Sequence, residues 1–266
     1  MGGRRLAIAL VAACTAAAAC GGGSGPPSSD GHQPARVSPA SRLEAADAGL
    51  HAAIRDWRLR DRPPRDVLHP AATERAIVHT LAGAPRLARE TIAALPRPLR
   101  GRIRLDVTAA VALRRLAGPP RAGRPHHLHL VPPPPAGVLL ADYRRAQARF
   151  GVRWQLLAAV NLIESAFGRV VNRSSAGAQG PMQFLPSTWR AYGLGGNVHG
   201  ARDAILGAAN YLHRSGAPDD ERRALFAYNR STLYVDAVLA YARVMTRDPL
   251  AFATYYAWEA SLPSVL

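Results

Sequence analysis

Between residues 98 and 116, Leu99, Ile103, Val107, Ala110 and Leu113 recur at the three- and four-residue spacing that lines up apolar side chains on one face of an α-helix. The same kind of pattern predicts helices over about 71–82, 86–95, 138–150, 152–167, 186–193, 201–214, 219–229 and 232–246. A first helix is expected to open at Ser41, with Glu44 three residues on as in a capping box, to carry Leu43, Leu50, Ile54 and Trp57, and to stop at Pro63 and Pro64. No segment alternates apolar and polar residues well enough to compete as a strand, so the expected fold class is all-α.

Proline and glycine punctuate this pattern into parts. Residues 21–39, "GGGSGPPSSDGHQPARVSP", lack any apolar period and read as a flexible, disordered tether. Residues 40–118 form a small helical region of unknown role, for which a scaffold or spacer is the plain reading. Residues 119–137 contain four consecutive prolines and read as a stiff, extended linker, followed by a second helical part over 138–266.

The N-terminus carries an address. "MGGRR" is a basic n-region, and "LAIALVAACTAAAA" is an apolar stretch too short to span a bilayer as a mature helix. Both cysteines, Cys14 and Cys20, lie in or beside it, so the rest of the chain has no disulfide framework. "AAAAC" followed by "GGGSG" resembles a bacterial lipoprotein signal, which implies cleavage before Cys20 and lipidation of that residue. Cys14 also follows small residues, but cutting there would shorten the h-region and leave apolar "TAAAA" on the mature chain. The implied location is outside the cell membrane, lipid-anchored on its outer face, in the cell wall or periplasmic space.

The formal charge is +16, and all 34 basic residues are arginine. Such a surface favours polyanions of any kind. The export signal opposes nucleic acid as a partner, which leaves the membrane and anionic wall polymers as what the arginines would meet.

In "RWQLLAAVNLIESAFGR", Leu156, Val160, Ile163 and Phe167 form the stripe of a buried helix face, and Glu164 stands one residue off it. On that shoulder, near a helix C-terminus, partial desolvation and the helix dipole would both raise its pKa and favour the protonated form. Two readings stay open from these facts alone: a general acid, or a structural glutamate paired with Arg169.

Downstream, "NRSSAGAQGPMQFLPSTWRAYG" places Ser174, Gly177, Ala178, Gly180, Met182 and Gln183 in an S-x-x-G-A-x-G-x-M-Q pattern, and "AYN" follows at 227–229. With Glu164-Ser165 ahead of them, these three blocks resemble the motifs of the lytic transglycosylases over about 139–246. The resemblance implies a goose-lysozyme-like all-α fold with its glutamate in a groove for peptidoglycan glycan strands. It implies cleavage between N-acetylmuramic acid and N-acetylglucosamine with Glu164 as catalytic acid and then base, leaving a 1,6-anhydromuramyl end. By the same resemblance Ser174, Met182, Gln183, Tyr228 and Asn229 would touch substrate or brace the glutamate.

No cofactor is expected. His126, His127 and His129 match no standard zinc spacing, and "GLGGNVHGARDA" lacks an acidic calcium loop. The alternatives are a lysozyme-like hydrolase, in which Asp203 is the candidate second carboxylate, and a noncatalytic wall-binding lipoprotein. Tyr255, Tyr256 and Trp258 either stack on sugars or pack the last helix.

Overall fold

The structure is a computed structural model and describes residues 37–119 and 128–262. Cys14, Cys20, His126 and His127, with the calls made on them, lie outside the described residues. Those residues form eleven α-helices and no strand longer than an isolated bridge.

Four helices come first: α1 (Pro39–Trp57), α2 (Arg65–Gly83), α3 (Pro85–Ala94) and α4 (Arg97–Ala117). After the extended prolines come α5 (Ala136–Phe150), α6 (Trp154–Ser165), α7 (Pro186–Tyr192), α8 (Ala201–Arg214), α9 (Glu221–Tyr228), α10 (Thr232–Arg247) and α11 (Ala251–Ala260). No helix among the described residues is long and apolar enough to cross a membrane.

Several boundaries differ from the sequence expectation. Helix α1 ends at Trp57, well before Pro63 and Pro64, because Arg58 takes a left-handed conformation that breaks the helix there. The cap of α1 is Ser38 rather than Ser41, because Pro39 at the first helical position has no N–H to satisfy and the Ser38 hydroxyl accepts from the Ser41 amide at 3.1 Å. Helix α2 starts at Arg65 and runs through Pro70, whose lost backbone bond is outweighed by burial of Val67 and Ala71 on either side. Helix α6 ends at Ser165, so Phe167 is buried from a left-handed turn and not from a helix face.

One apolar core runs from α1 to α11. Helix α4 lies along α10, and α2 lies against α11. The contact is polar as well as apolar: Arg102 of α4 pairs with Glu74 of α2 at 2.7 Å and Asp47 of α1 at 2.6 Å, while Tyr255 of α11 donates to Asp106 and Trp258 to Glu74. His51 of α1 sits between Asp47 and Asp248, at 3.2 and 3.5 Å, and so ties the first helix to the turn between α10 and α11. Tyr255, Tyr256 and Trp258 are therefore packing residues, each almost fully buried.

Candidate active site

Glu164 is the penultimate residue of α6, and what holds it is the way that helix stops. Ala166, Phe167 and Gly168 all take positive φ, which turns the chain sharply back. The Ser165 hydroxyl accepts from the Gly168 amide at 2.9 Å and donates to the Pro181 carbonyl at 2.5 Å. Asn161, one turn earlier, donates to the same Pro181 carbonyl at 2.8 Å and accepts from the buried Tyr143 hydroxyl at 2.5 Å. The last turn of α6 is thus bolted to the loop 179–184.

That loop closes on itself between Gln179 and Phe184, whose backbones exchange hydrogen bonds of 3.0 and 2.9 Å. Gly180 is obligatory in it. Its φ is +76°, and a Cβ there would lie 2.0 Å from the Val198 carbonyl oxygen. From the other side the Tyr228 hydroxyl, at the end of α9, donates to the Met182 carbonyl at 2.7 Å.

Glu164 retains 8 % of its residue surface, so its carboxyl is largely desolvated. Its one side-chain hydrogen bond is with the Tyr234 hydroxyl, which donates to Oε1 at 2.7 Å from the first turn of α10. Burial pushes the Glu164 pKa up to about 7, and the Tyr234 bond offsets only part of that shift. Burial and the charge of Glu164 also hold the Tyr228 and Tyr234 phenols well above their ordinary range, so both stay protonated beside it.

Among the described residues no ion pair joins an arginine to Glu164. The Arg169 guanidinium donates instead to the backbone carbonyls of Glu259 and Leu262, the latter at 2.9 Å. Most other acids of this half are engaged elsewhere, and Asp219 is exposed. Asp142 pairs with Arg145, Glu221 with Arg153 and Asp236 with Arg222. Asp220 caps α9, and Asp203, in the first turn of α8, accepts from the Asn197 amide at 2.9 Å.

The motif residues divide into two groups. Met182 and Tyr228 belong to the wall around Glu164, Met182 through its backbone and a fully buried side chain. Ser174 and Gln183 serve their own loops: the Ser174 hydroxyl accepts from the Ala178 amide at 3.0 Å, and the Gln183 amide donates to the carbonyls of Gly180 and Asn172. Asn229 is buried, and its side-chain Nδ2 has no hydrogen-bond acceptor. Tyr234 and the structural part played by Ser165 are not marked as such by the motif blocks; the only local signal for Tyr234 is its place three residues after Ser231, the α10 cap.

From Tyr228 a chain of edge-to-face rings leads outward. Tyr211 lies 5.5 Å from Tyr228 and 4.8 Å from Tyr192, while Phe184 lies 6.0 Å from Tyr228 and 5.2 Å from Trp189.

The site is thus a buried acid on the last turn of α6, hydrogen-bonded to Tyr234 and set beside the loop that Tyr228 holds. Residues 143–247 match the family described as Transglycosylase SLT domain. The SLT match contains Glu164 and every motif block, and the fold around it is all-helical. The chain is also similar to membrane-bound lytic murein transglycosylase F of Thiobacillus denitrificans, at 31% identity over 123 residues, 43% of this chain and 26% of that protein. The chain thus spans about a quarter of the length of the curated relative it matches. No solved structure matches the chain.

Proposed function

We propose that the protein is a peptidoglycan lytic transglycosylase with Glu164 as its only catalytic carboxylate. Glu164, neutral in half the molecules near pH 7, donates its proton to the glycosidic oxygen between N-acetylmuramic acid and N-acetylglucosamine. As carboxylate it then takes the proton of the C6 hydroxyl of the same muramyl unit, and that oxygen closes the 1,6-anhydro ring. Tyr234 stabilises the carboxylate phase through its hydroxyl. Asn229 lies buried at the end of α9 beside Tyr228 and braces that side of the site, and Ser174, Met182 and Gln183 shape the loops that face the glycan.

The observation that carries this reading is the isolation of Glu164. A hydrolase of the inverting or retaining type needs a second carboxylate across the scissile bond, and Asp203, the candidate, is held at the start of α8 by the Asn197 amide. The relative's printed name, lytic murein transglycosylase, supports the same chemistry and the same substrate.

We also propose that residues 1–20 direct export, that Cys20 is lipidated, that 21–39 tether the enzyme to the outer face of the membrane, and that 119–137 link residues 40–118 to the catalytic part. Digestion of purified sacculi tests the activity. Anhydromuramyl ends lost in Glu164→Gln are expected; reducing ends would identify a hydrolase, and intact sacculi with bound protein would identify a noncatalytic binder. Metabolic labelling with a fatty acid, lost in Cys20→Ser and kept in Cys14→Ser, tests the anchor.

A further inference from the structure

Helices α3 and α4 enclose a groove of about 400 Å³ on the face of the molecule that the SLT match does not cover. Its floor is apolar, from Ala88, Ile92 and Val107, and its rim is formed by Arg89, Arg100 and Arg104. Arg100 is locked in place by hydrogen bonds to the carbonyls of Ala93 and Leu95, at 2.8 and 2.9 Å. Arg89 and Arg104 are exposed and have no acidic partner among the described residues.

The charge around this groove is one-sided. Residues 85–117 hold eight arginines and two acids; of the acids, Asp106 is fully buried and Glu90 is taken by Arg86 at 2.9 Å. The rim therefore lacks an anion that the protein itself does not supply. Guanidinium groups bind phosphate bidentately, and their methylene stems lie readily along apolar surface.

We infer that the α3–α4 groove is a docking surface for a bilayer of anionic phospholipid. A hydrated anionic polymer would satisfy the arginines and leave the half-buried Ile92 of the floor in water. A phospholipid surface offers both complements at once, phosphate at the rim and glyceride and acyl carbon at the floor. The inference goes beyond the proposed reaction and leans on the proposed anchor only for proximity to the membrane.

The test uses the full chain with Cys14→Ser and Cys20→Ser, so that no acyl chain is attached, and measures co-sedimentation with phosphatidylcholine vesicles with and without phosphatidylglycerol. Arg89→Gln with Arg104→Gln should weaken binding to the anionic vesicles about 30-fold, at roughly fivefold for each arginine, and leave binding to pure phosphatidylcholine unchanged. Arg214→Gln with Arg243→Gln, two exposed arginines on α8 and α10, remove the same charge and should change binding less than about twofold. Ile92→Ser should weaken binding to the anionic vesicles as well, with an unchanged melting temperature as the check on folding.

Equal losses in the two double variants, or no preference for anionic vesicles, overturn the inference. So does arginine-dependent binding to soluble poly(glycerol phosphate) that is indifferent to Ile92→Ser, which would make the partner a wall polymer. Cleavage of soluble glycan strands should be the same in all these variants, so failure here and failure of the proposed reaction are separately visible.

Discussion

The Tyr234 hydroxyl donates a 2.7 Å hydrogen bond to Oε1 of Glu164, joining the first turn of α10 to the last turn of α6 across 70 residues of sequence. Helix α10 is packed on its other side by α4, so the phenol that tunes the acid stands on a helix braced by the N-terminal four.

Removal of that phenol changes the acid in a defined direction. A hydrogen bond to the charged form lowers a carboxyl pKa, so Tyr234→Phe should raise the Glu164 pKa above about 7. The alkaline limb of kcat/KM for glycan cleavage then moves to higher pH, with maximal turnover reduced roughly tenfold as the carboxylate phase loses its donor. A pH–rate profile of the two proteins on soluble strands measures both effects.

Glu164→Gln should abolish cleavage and stabilise the fold, in a pH-dependent way. The folded pKa is raised from 4.5 to about 7, so the folded state holds a proton that the unfolded state has released. Stability linked to Glu164 is fully present below pH 4.5 and is lost as pH rises through about 7. The wild type should thus fall behind the glutamine variant by about 3 kcal/mol between pH 4 and pH 8, less whatever solvent relaxation recovers. Urea unfolding at the two pH values reads the difference directly.

Gly180→Ala tests the loop that faces the acid. Its methyl group would meet the Val198 carbonyl, and the residue would have to keep φ at +76°. A loss of roughly 2–4 kcal/mol is expected, together with loss of cleavage as the 179–184 loop leaves Ser165 and Tyr228. Thermal unfolding and sacculus digestion check the two consequences.

His51 links α1 to the end of α10, and its pKa is raised to about 9, first by the Asp248 bond and then by Asp47. A raised histidine pKa contributes stability that is fully present below its ordinary 6.5 and is lost as pH rises through about 9. His51→Ala should melt lower than the wild type at acidic and neutral pH, and the two curves should converge in strongly alkaline buffer.

Most of the helices, and the order of the motif blocks, were legible from local text, because helix periodicity and turn residues are properties of neighbouring positions. Helix α4 was expected at 98–116 and spans Arg97–Ala117. The misplaced edges arose where short-range rules competed: Ser41 and Glu44 looked like a cap until Ser38 and Pro39 took that place. The second helix was expected from about 71 and starts at Arg65, since burial of the neighbours of Pro70 carries α2 through it.

The chain's own letters sufficed to single out Glu164, because its offset from an apolar stripe and the spacing of Ser174, Met182 and Gln183 are one-dimensional facts. Tertiary structure alone decided what touches that carboxylate. It sent Arg169 to the carbonyls of α11 and its following turn, left Ser174 to its own loop, and brought Tyr234 to the acid. The reason is physical: a buried carboxyl takes its pKa from the dielectric and the donors that surround it in space, and those come from helices whose separation along the chain carries no local signal.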